Sequence, residues 1–277
     1  VFLILGLVFI RGTLVAAPWL DKLIALGPVF YAIPLAVFSA EHFVGAQFMQ
    51  SMVPRWIPAH LFWVYFVGLA LLSASVSILI NRYAGFSGLM LGIMFFLFVA
   101  LMDLPGTLKS PGNRIFWTLT FRELAFGGAA WTLAGTRAPG WRYSGFLRNT
   151  GRIFVAVPTL FFAVQYSLHP ASAPGVPLEM TTPSWVPLSG FWGFPMSAIL
   201  LVTGLGMLLN WQSRLCAASA GLVVTLPVIF IYFPLLLLAS QPSGMNEATN
   251  YLGDTLLYAG TLFLIAGSAE VRPELHH

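Results

Sequence analysis

Long apolar runs separated by short polar turns occupy nearly the whole chain. A bilayer core asks for about 20 consecutive, mostly apolar residues in a helix. Runs of that length fall at about 24–51, 60–81, 85–104, 115–136, 150–169, 189–210, 214–239 and 248–268. The pattern predicts eight transmembrane helices. The opening VFLILGLVFI, residues 1–10, is too short to span and is followed by Arg11, so it is expected to be an interfacial segment or the remnant of a helix.

The runs repeat. Gly27 to Pro58, GPVFYAIPLAVFSAEHFVGAQFMQSMVPRWIP, returns from Gly151 as GRIFVAVPTLFFAVQYSLHP and, after an insertion, TTPSWVP. Pro54, Trp56 and Pro58 match Pro183, Trp185 and Pro187, and the same spacing carries Trp63 to Trp192, Asn81 to Asn210, Gly92 to Gly221 and Pro105 to Pro234. In the fourth run of each copy, Gly128 and Gly135 match Gly260 and Gly267. An internal repeat fixes the architecture before any motif is weighed. The expectation is an all-α integral membrane protein of two tandem four-helix bundles side by side. An even number of spans per copy gives both the same orientation, with their axis along the membrane normal. The expected organisation is an N-terminal segment at 1–23, a first unit at 24–136, a basic linker at 137–149, a second unit at 150–268 and a tail at 269–277.

Composition supports a membrane assignment, with 58% apolar and 8% charged residues and a mean hydropathy of +0.85. A pI near 9.5 would suggest nucleic acid for a soluble chain, but thirteen basic residues scattered through short loops make no basic stripe, so no nucleic-acid partner is expected. They read instead as topology signals. Arg11, Lys22, Arg82, Arg137, Arg142, Arg148, Arg152, Arg214 and Arg272 fall on one side; Arg55, Lys109 and Arg114 fall on the other. The first side, with both ends of the eight-helix core, is expected to be cytoplasmic. Trp56, Trp63, Trp185 and Trp192 then belong to an outer aromatic belt. The loop from Pro170 to Pro187 is expected to be exported, with little regular structure. A lone Cys216 makes neither a disulfide framework nor a CxxC pair.

Ionisable side chains at membrane depth cost about 2.5–3.5 kcal/mol on insertion scales, so each asks for a partner or a purpose. At about 1.5 Å per residue, Glu41 lies about 16 Å below Met52, and Arg122 and Glu123 about 12 Å below Arg114. Similar depths predict a Glu41–Arg122 pair, with His42 and Glu123 around it in a cluster opening outward; Asp103, at an outer helix end where solvation is the plainer expectation, is a further candidate facing the same opening. Such a pair is equally expected of a purely structural device that fixes register. The second copy has Gln165 and Tyr166 where the first has Glu41 and His42, and its fourth helix offers Asp254 but no arginine, so a functional site is expected in the first unit. His42 and His169, on corresponding helices, are the candidates for axial ligation of a b-type haem, disfavoured by a depth difference of about one turn and by Pro170 beside His169. Too few carboxylates are present for a dedicated metal cage.

The E-H-F inside the first span (Glu41 to Phe43), the MVPRWIP that follows (Met52 to Pro58), NRYA (Asn81 to Ala84) and FRELAFGG (Phe121 to Gly128) resemble the DoxX-like family. Residues 24–136 look like one complete unit; the second half resembles the family only through the repeat. The resemblance implies four-helix membrane units and a subunit of a redox system that touches quinone, in the bacterial inner (plasma) membrane. Relatives that support disulfide chemistry are disfavoured by the lack of a cysteine pair.

Three functions therefore compete. The first is a quinone-associated accessory subunit of an electron-transfer complex, with the cluster near the outer leaflet and His42 or Glu123 exchanging protons with the quinone. No nucleotide, flavin or haem motif is present, so electrons would come from a partner redox subunit. The second is a non-catalytic scaffold packing against partner helices and lipid. The third, a small transporter or proton relay, is disfavoured because the repeats are parallel and the second unit lacks the acidic pair.

Overall fold

Each expected apolar run is largely helical, in one piece or several. The computed structural model describes residues 2–176 and 178–269, so Arg272 and the tail beyond Ala269 lie outside the described residues. The helices are α1 (Phe2–Ala16), α2 (Trp19–Ala25), α3 (Gly27–Val44), α4 (Ala46–Met49), α5 (His60–Leu79), α6 (Ala84–Phe98), α7 (Leu104–Lys109), α8 (Arg114–Arg137), α9 (Ser144–Leu168), α10 (Gly193–Leu208), α11 (Ser213–Pro227), α12 (Phe233–Leu238) and α13 (Pro242–Ser268). Five segments are long and apolar enough to cross a membrane: Trp19–Val44, His60–Leu79, Ala84–Lys109, Ser144–Leu168 and Ser213–Leu238. The chain is a multi-pass membrane protein. Residues 2–16 are helical and largely exposed, with Gly6 buried close to Val29 and Leu79.

The repeat extends to backbone detail. Left-handed residues recur in equivalent pairs: Ala59 and Leu188, Asn81 and Asn210, Tyr83 and Gln212. Trp63 Nε1 donates to the Pro58 carbonyl at 3.1 Å and Trp192 Nε1 to that of Pro187 at 2.7 Å. A π-turn at Val99–Asp103 has its counterpart at Val228–Tyr232. Pro105 and Pro234 stand two residues past the ends of these turns. A proline ring lacks an N–H and crowds the carbonyl four residues back, and a widened turn lets the helix continue past it. A third correspondence is inverted. Ser39 Oγ of α3 donates to the Gly68 carbonyl of α5, whereas in the second copy Ser197 Oγ of α10 donates to the Ala163 carbonyl of α9, both at 2.7 Å. The hydroxyl has changed helices and the bridge is kept.

The halves do not build separate cores. Successive spans pack in order, α3 on α5, α5 on α6, α6 on α8, α8 on α9, α9 on α10, α10 on α11 and α11 on α13; then α13 packs on α3 and closes the circuit. The two fourth helices, α8 and α13, also meet across the middle. Two self-contained bundles side by side thus give way to one shared core, in which Tyr31, Leu35 and Phe126 join Phe162, Tyr258 and Leu262. Small residues are the physical reason. A Cβ on Gly128 would lie 2.8 Å from the Gly151 carbonyl oxygen of α9, and one on Gly260 would run into the backbone of Tyr31 in α3. Without them, the fourth helix of each half could not approach the first helix of the other so closely.

Candidate functional site

Six ionisable side chains gather in the half of this body where α3 and α6 end and α8 and α13 begin. Glu41 and His42 come from the last turn of α3, Asp103 from the π-turn, Arg122 and Glu123 from α8, and Asp254 from α13. The spacing that relates Gly128 to Gly260 carries Arg122 onto Asp254 and Glu123 onto Thr255.

Arg122 bonds Asp254 through Nη1 and lies 3.0 Å from Glu123 Oε1 through Nη2, with side-chain exposures of only 17% for Arg122, 14% for Glu123 and 6% for Asp254. The expected Glu41–Arg122 pair is therefore corrected: the guanidinium is committed to Asp254 and Glu123. Glu41 faces the α13 side, on the same stripe of α3 as Pro34 and Phe38, which touch Gly253, and is within electrostatic reach of Asp254. Asp103 is within reach of Arg122 and Glu123, and His42 of Glu123. The expected neighbours do come together, around a different pair.

Two carboxyl groups thus bond the one guanidinium, Asp103 lies within its reach, and Glu41 stands beside Asp254. Glu41 Oε1, Asp103 Oδ2 and Glu123 Oε2 are buried without a hydrogen-bond partner, as is Arg122 Nε. His42 Nδ1 lies 2.7 Å from the Phe38 carbonyl. A carbonyl only accepts, so Nδ1 carries the hydrogen and the neutral ring presents Nε2 as an acceptor.

The second copy treats the equivalent place differently. Its connection after α9, five residues longer, folds inward over Ala173–Val176, which are buried. Tyr166, equivalent to His42, donates to the Ala173 carbonyl at 2.9 Å, and Tyr232, equivalent to Asp103, donates to that of Pro174 at 2.7 Å. Gly175, at a φ of +135° open to glycine, packs so closely on Thr255 that a Cβ would come within 2.7 Å of its hydroxyl. Arg114 holds the flanks through Ser172 Oγ and the Leu178 carbonyl. The exported loop expected at 170–187 lacks regular helix, but its middle is a plug rather than a free excursion. In the first copy, α4 and the following turn pack on α3 and α5, away from Asp103 and Glu123.

Other expected sites separate from the cluster. Trp56 is 70% exposed and Trp185 47% exposed, in the connections that carry Pro54, Pro58, Pro183 and Pro187. His169 is exposed past the end of α9, and α8 and α13 stand between α9 and α3, so His42 and His169 do not face one another. Among the described residues, no group of three His, Cys, Asp or Glu side chains is arranged to hold a metal ion. Asp254 as the partner of Arg122, and the plug, are what sequence reasoning missed. The glycine spacing already aligned Arg122 with Asp254.

A family described as a domain of unknown function (DUF8561) matches residues 31–106. The match covers α3, α5 and α6, with Glu41, His42 and Asp103, and stops before Arg122. No curated protein and no solved structure matches the chain.

Proposed function

We propose that this chain is a membrane subunit whose first half exchanges protons at the cluster of Glu41, His42, Asp103, Arg122 and Glu123, completed by Asp254 of the second half. One observation carries the reading: four carboxyl groups gather in one cluster with a single guanidinium that bonds only two of them, and three keep a buried oxygen with no partner. Like charges in a weakly polar interior cannot all be ionised together, so the group holds protons in common and releases them as its surroundings change. Structural ion pairs need no such surplus of acid.

The wider setting follows the DoxX-like resemblance: an accessory subunit of a redox complex in a bacterial inner membrane, in two diverged four-helix units, with both ends of the core cytoplasmic and the cluster toward the outer face. In that setting a quinone carbonyl would find donors at Arg122 Nε and, when the ring is charged, at His42. Electrons would come from a partner subunit.

Infrared difference spectra of the purified chain, recorded across a pH titration, test the proton-exchanging site. A carboxylic-acid C=O band should appear and fade with pH and lose part of its intensity in Glu41→Gln and in Asp103→Asn. A spectrum without a titrating band, or one unchanged in both variants, would remove the proposal. Solvent extraction of the membrane-purified protein separately tests for quinone.

A further inference from the structure

At the other end of the helices from the cluster, a hollow combines an apolar wall with an uncommitted charge. It is an open groove of about 500 Å³ that runs along the exposed side of α5 from Leu72 to Ile80 and ends on Arg82 and Tyr83. That stretch of helix rises about 12 Å, against about 15 Å for half of a bilayer core. The wall therefore reaches through most of one leaflet, and the Arg82 turn lies just past the end of α5, where headgroups begin.

The turn is held in place. Arg82 N–H donates to the Ser77 carbonyl at 3.1 Å, the Arg82 carbonyl accepts from Ser77 Oγ, and Ser87 Oγ donates to Ser77 Oγ at 2.8 Å. The guanidinium lies 5.5 Å from the centroid of the Tyr83 ring, and among the described residues no carboxylate pairs with it. Its backbone is fixed while its N–H donors have no anion.

The second copy keeps the turn and discards the chemistry. Trp211 N–H donates to the Gly206 carbonyl at 2.8 Å, as Arg82 does to that of Ser77. Yet Ser73, Ser77, Arg82 and Tyr83 have become Val202, Gly206, Trp211 and Gln212. A side chain at Gly206 would strike Cys216 Sγ, the counterpart of Ser87, so the serine bridge has no room there. An indole is at home at the membrane interface without a counter-ion, whereas a guanidinium calls for an anion.

We propose that this groove binds one anionic phospholipid, with its phosphate on the Arg82 guanidinium and Tyr83 Oη and an acyl chain along Leu72–Ile80. A fixed cation at the end of an apolar wall of leaflet depth favours a lipid over a soluble phosphate, which would leave the wall uncovered. The site needs only the bilayer and is independent of the proton-exchanging cluster.

Photoactivatable phosphatidylglycerol and phosphatidylcholine, with the reactive group at the same acyl position, test this in vesicles containing the full chain, the cross-linked peptides being read by mass spectrometry. Phosphatidylglycerol should label Leu72–Ile80 about fivefold more than phosphatidylcholine does, a factor that falls to about one in Arg82→Gln and is retained in Arg82→Lys. Leu201–Leu209, the same stretch of the second copy, should take both lipids equally. Ser73→Leu, which fills the wall with the charge still in place, should lower the labelling of the first stretch by phosphatidylglycerol. Equal labelling of Leu72–Ile80 by the two lipids, or a preference unchanged in Arg82→Gln, overturns the anionic lipid. Displacement of the label by millimolar inorganic phosphate would make the ligand a free anion and overturn it too. Protection of Leu72–Ile80 from both lipids in a dimer would assign the groove to a second copy of the chain, with the same result.

Discussion

Arg122 and Asp254 hold equivalent places in the two copies, and they bond to each other. The contact sits where the fourth helices cross the middle of the molecule. Two identical copies would there set like against like, whereas opposite charges turn a point of repulsion into a join. The join is possible because the halves are different sequences in one chain.

Loss of the guanidinium should therefore be costly. Arg122→Met leaves Asp254, 6% exposed, without its counter-charge, and a loss of about 3–5 kcal/mol is expected. Exchanging the two residues, Arg122→Asp with Asp254→Arg, should recover much of it. Thermal unfolding of the purified variants in detergent measures both, and independent single effects with no recovery would contradict the pairing.

Gly175→Ala should unseat the plug. The backbone there has a φ of +135°, and the added methyl meets Thr255 and Tyr232. A destabilisation of about 1–3 kcal/mol is expected, with faster proteolysis between Pro170 and Pro187 while the remaining helices stay protected. Arg114→Ala should act in the same direction through the released Ser172 and Leu178 contacts.

The circuit of helices predicts which pairs cross-link. Phe30 of α3 and Phe263 of α13 have ring centroids 6.1 Å apart. In a Cys216→Ser background, cysteines at these two positions should be joined by a short bifunctional thiol reagent, read as a shift in gel mobility. Gly260→Val should abolish that product by pushing α13 away from Tyr31.

Ser39→Ala tests the inverted serine bridge. It removes the hydroxyl donating to Gly68 without opening a large cavity, and about 0.5–1 kcal/mol of stability should be lost. Ser197→Ala should cost a similar amount, because its hydroxyl does the same in the other copy.

Much of this was legible in the residues. Apolar run length marked the helical runs, five of which are long and apolar enough to cross a membrane, and the prolines, tryptophans and glycines mark a repeat that reaches as far as the paired π-turns. Depth estimates along single helices bring Glu41, His42, Arg122 and Glu123 into one layer, whereas Asp103 reads as a residue of an outer helix end facing the same opening. Depth says nothing about azimuth, which is why Arg122 was assigned to Glu41 and not to Asp254. Azimuth follows from which helices adjoin, and the close approach at Gly128 and Gly260 decides that through backbone contact with the opposite half. The plug was hidden for another reason. Its proline- and glycine-rich stretch describes a chain without regular structure, and such a chain can fold inward once tyrosine hydroxyls are present to satisfy its carbonyls.

α13, made after every helix it packs against, is the one that closes the circuit. While the ribosome is still producing α13, the face of α3 that will receive Gly260 has no protein neighbour, and Arg122 has entered the membrane without Asp254. The early helices must wait in lipid, or under the care of the insertion machinery, for a segment more than a hundred residues downstream. Assembly of the first half is thereby tied to synthesis of α13, and a nascent chain that stops before Asp254 leaves Arg122 with one carboxylate partner fewer at membrane depth.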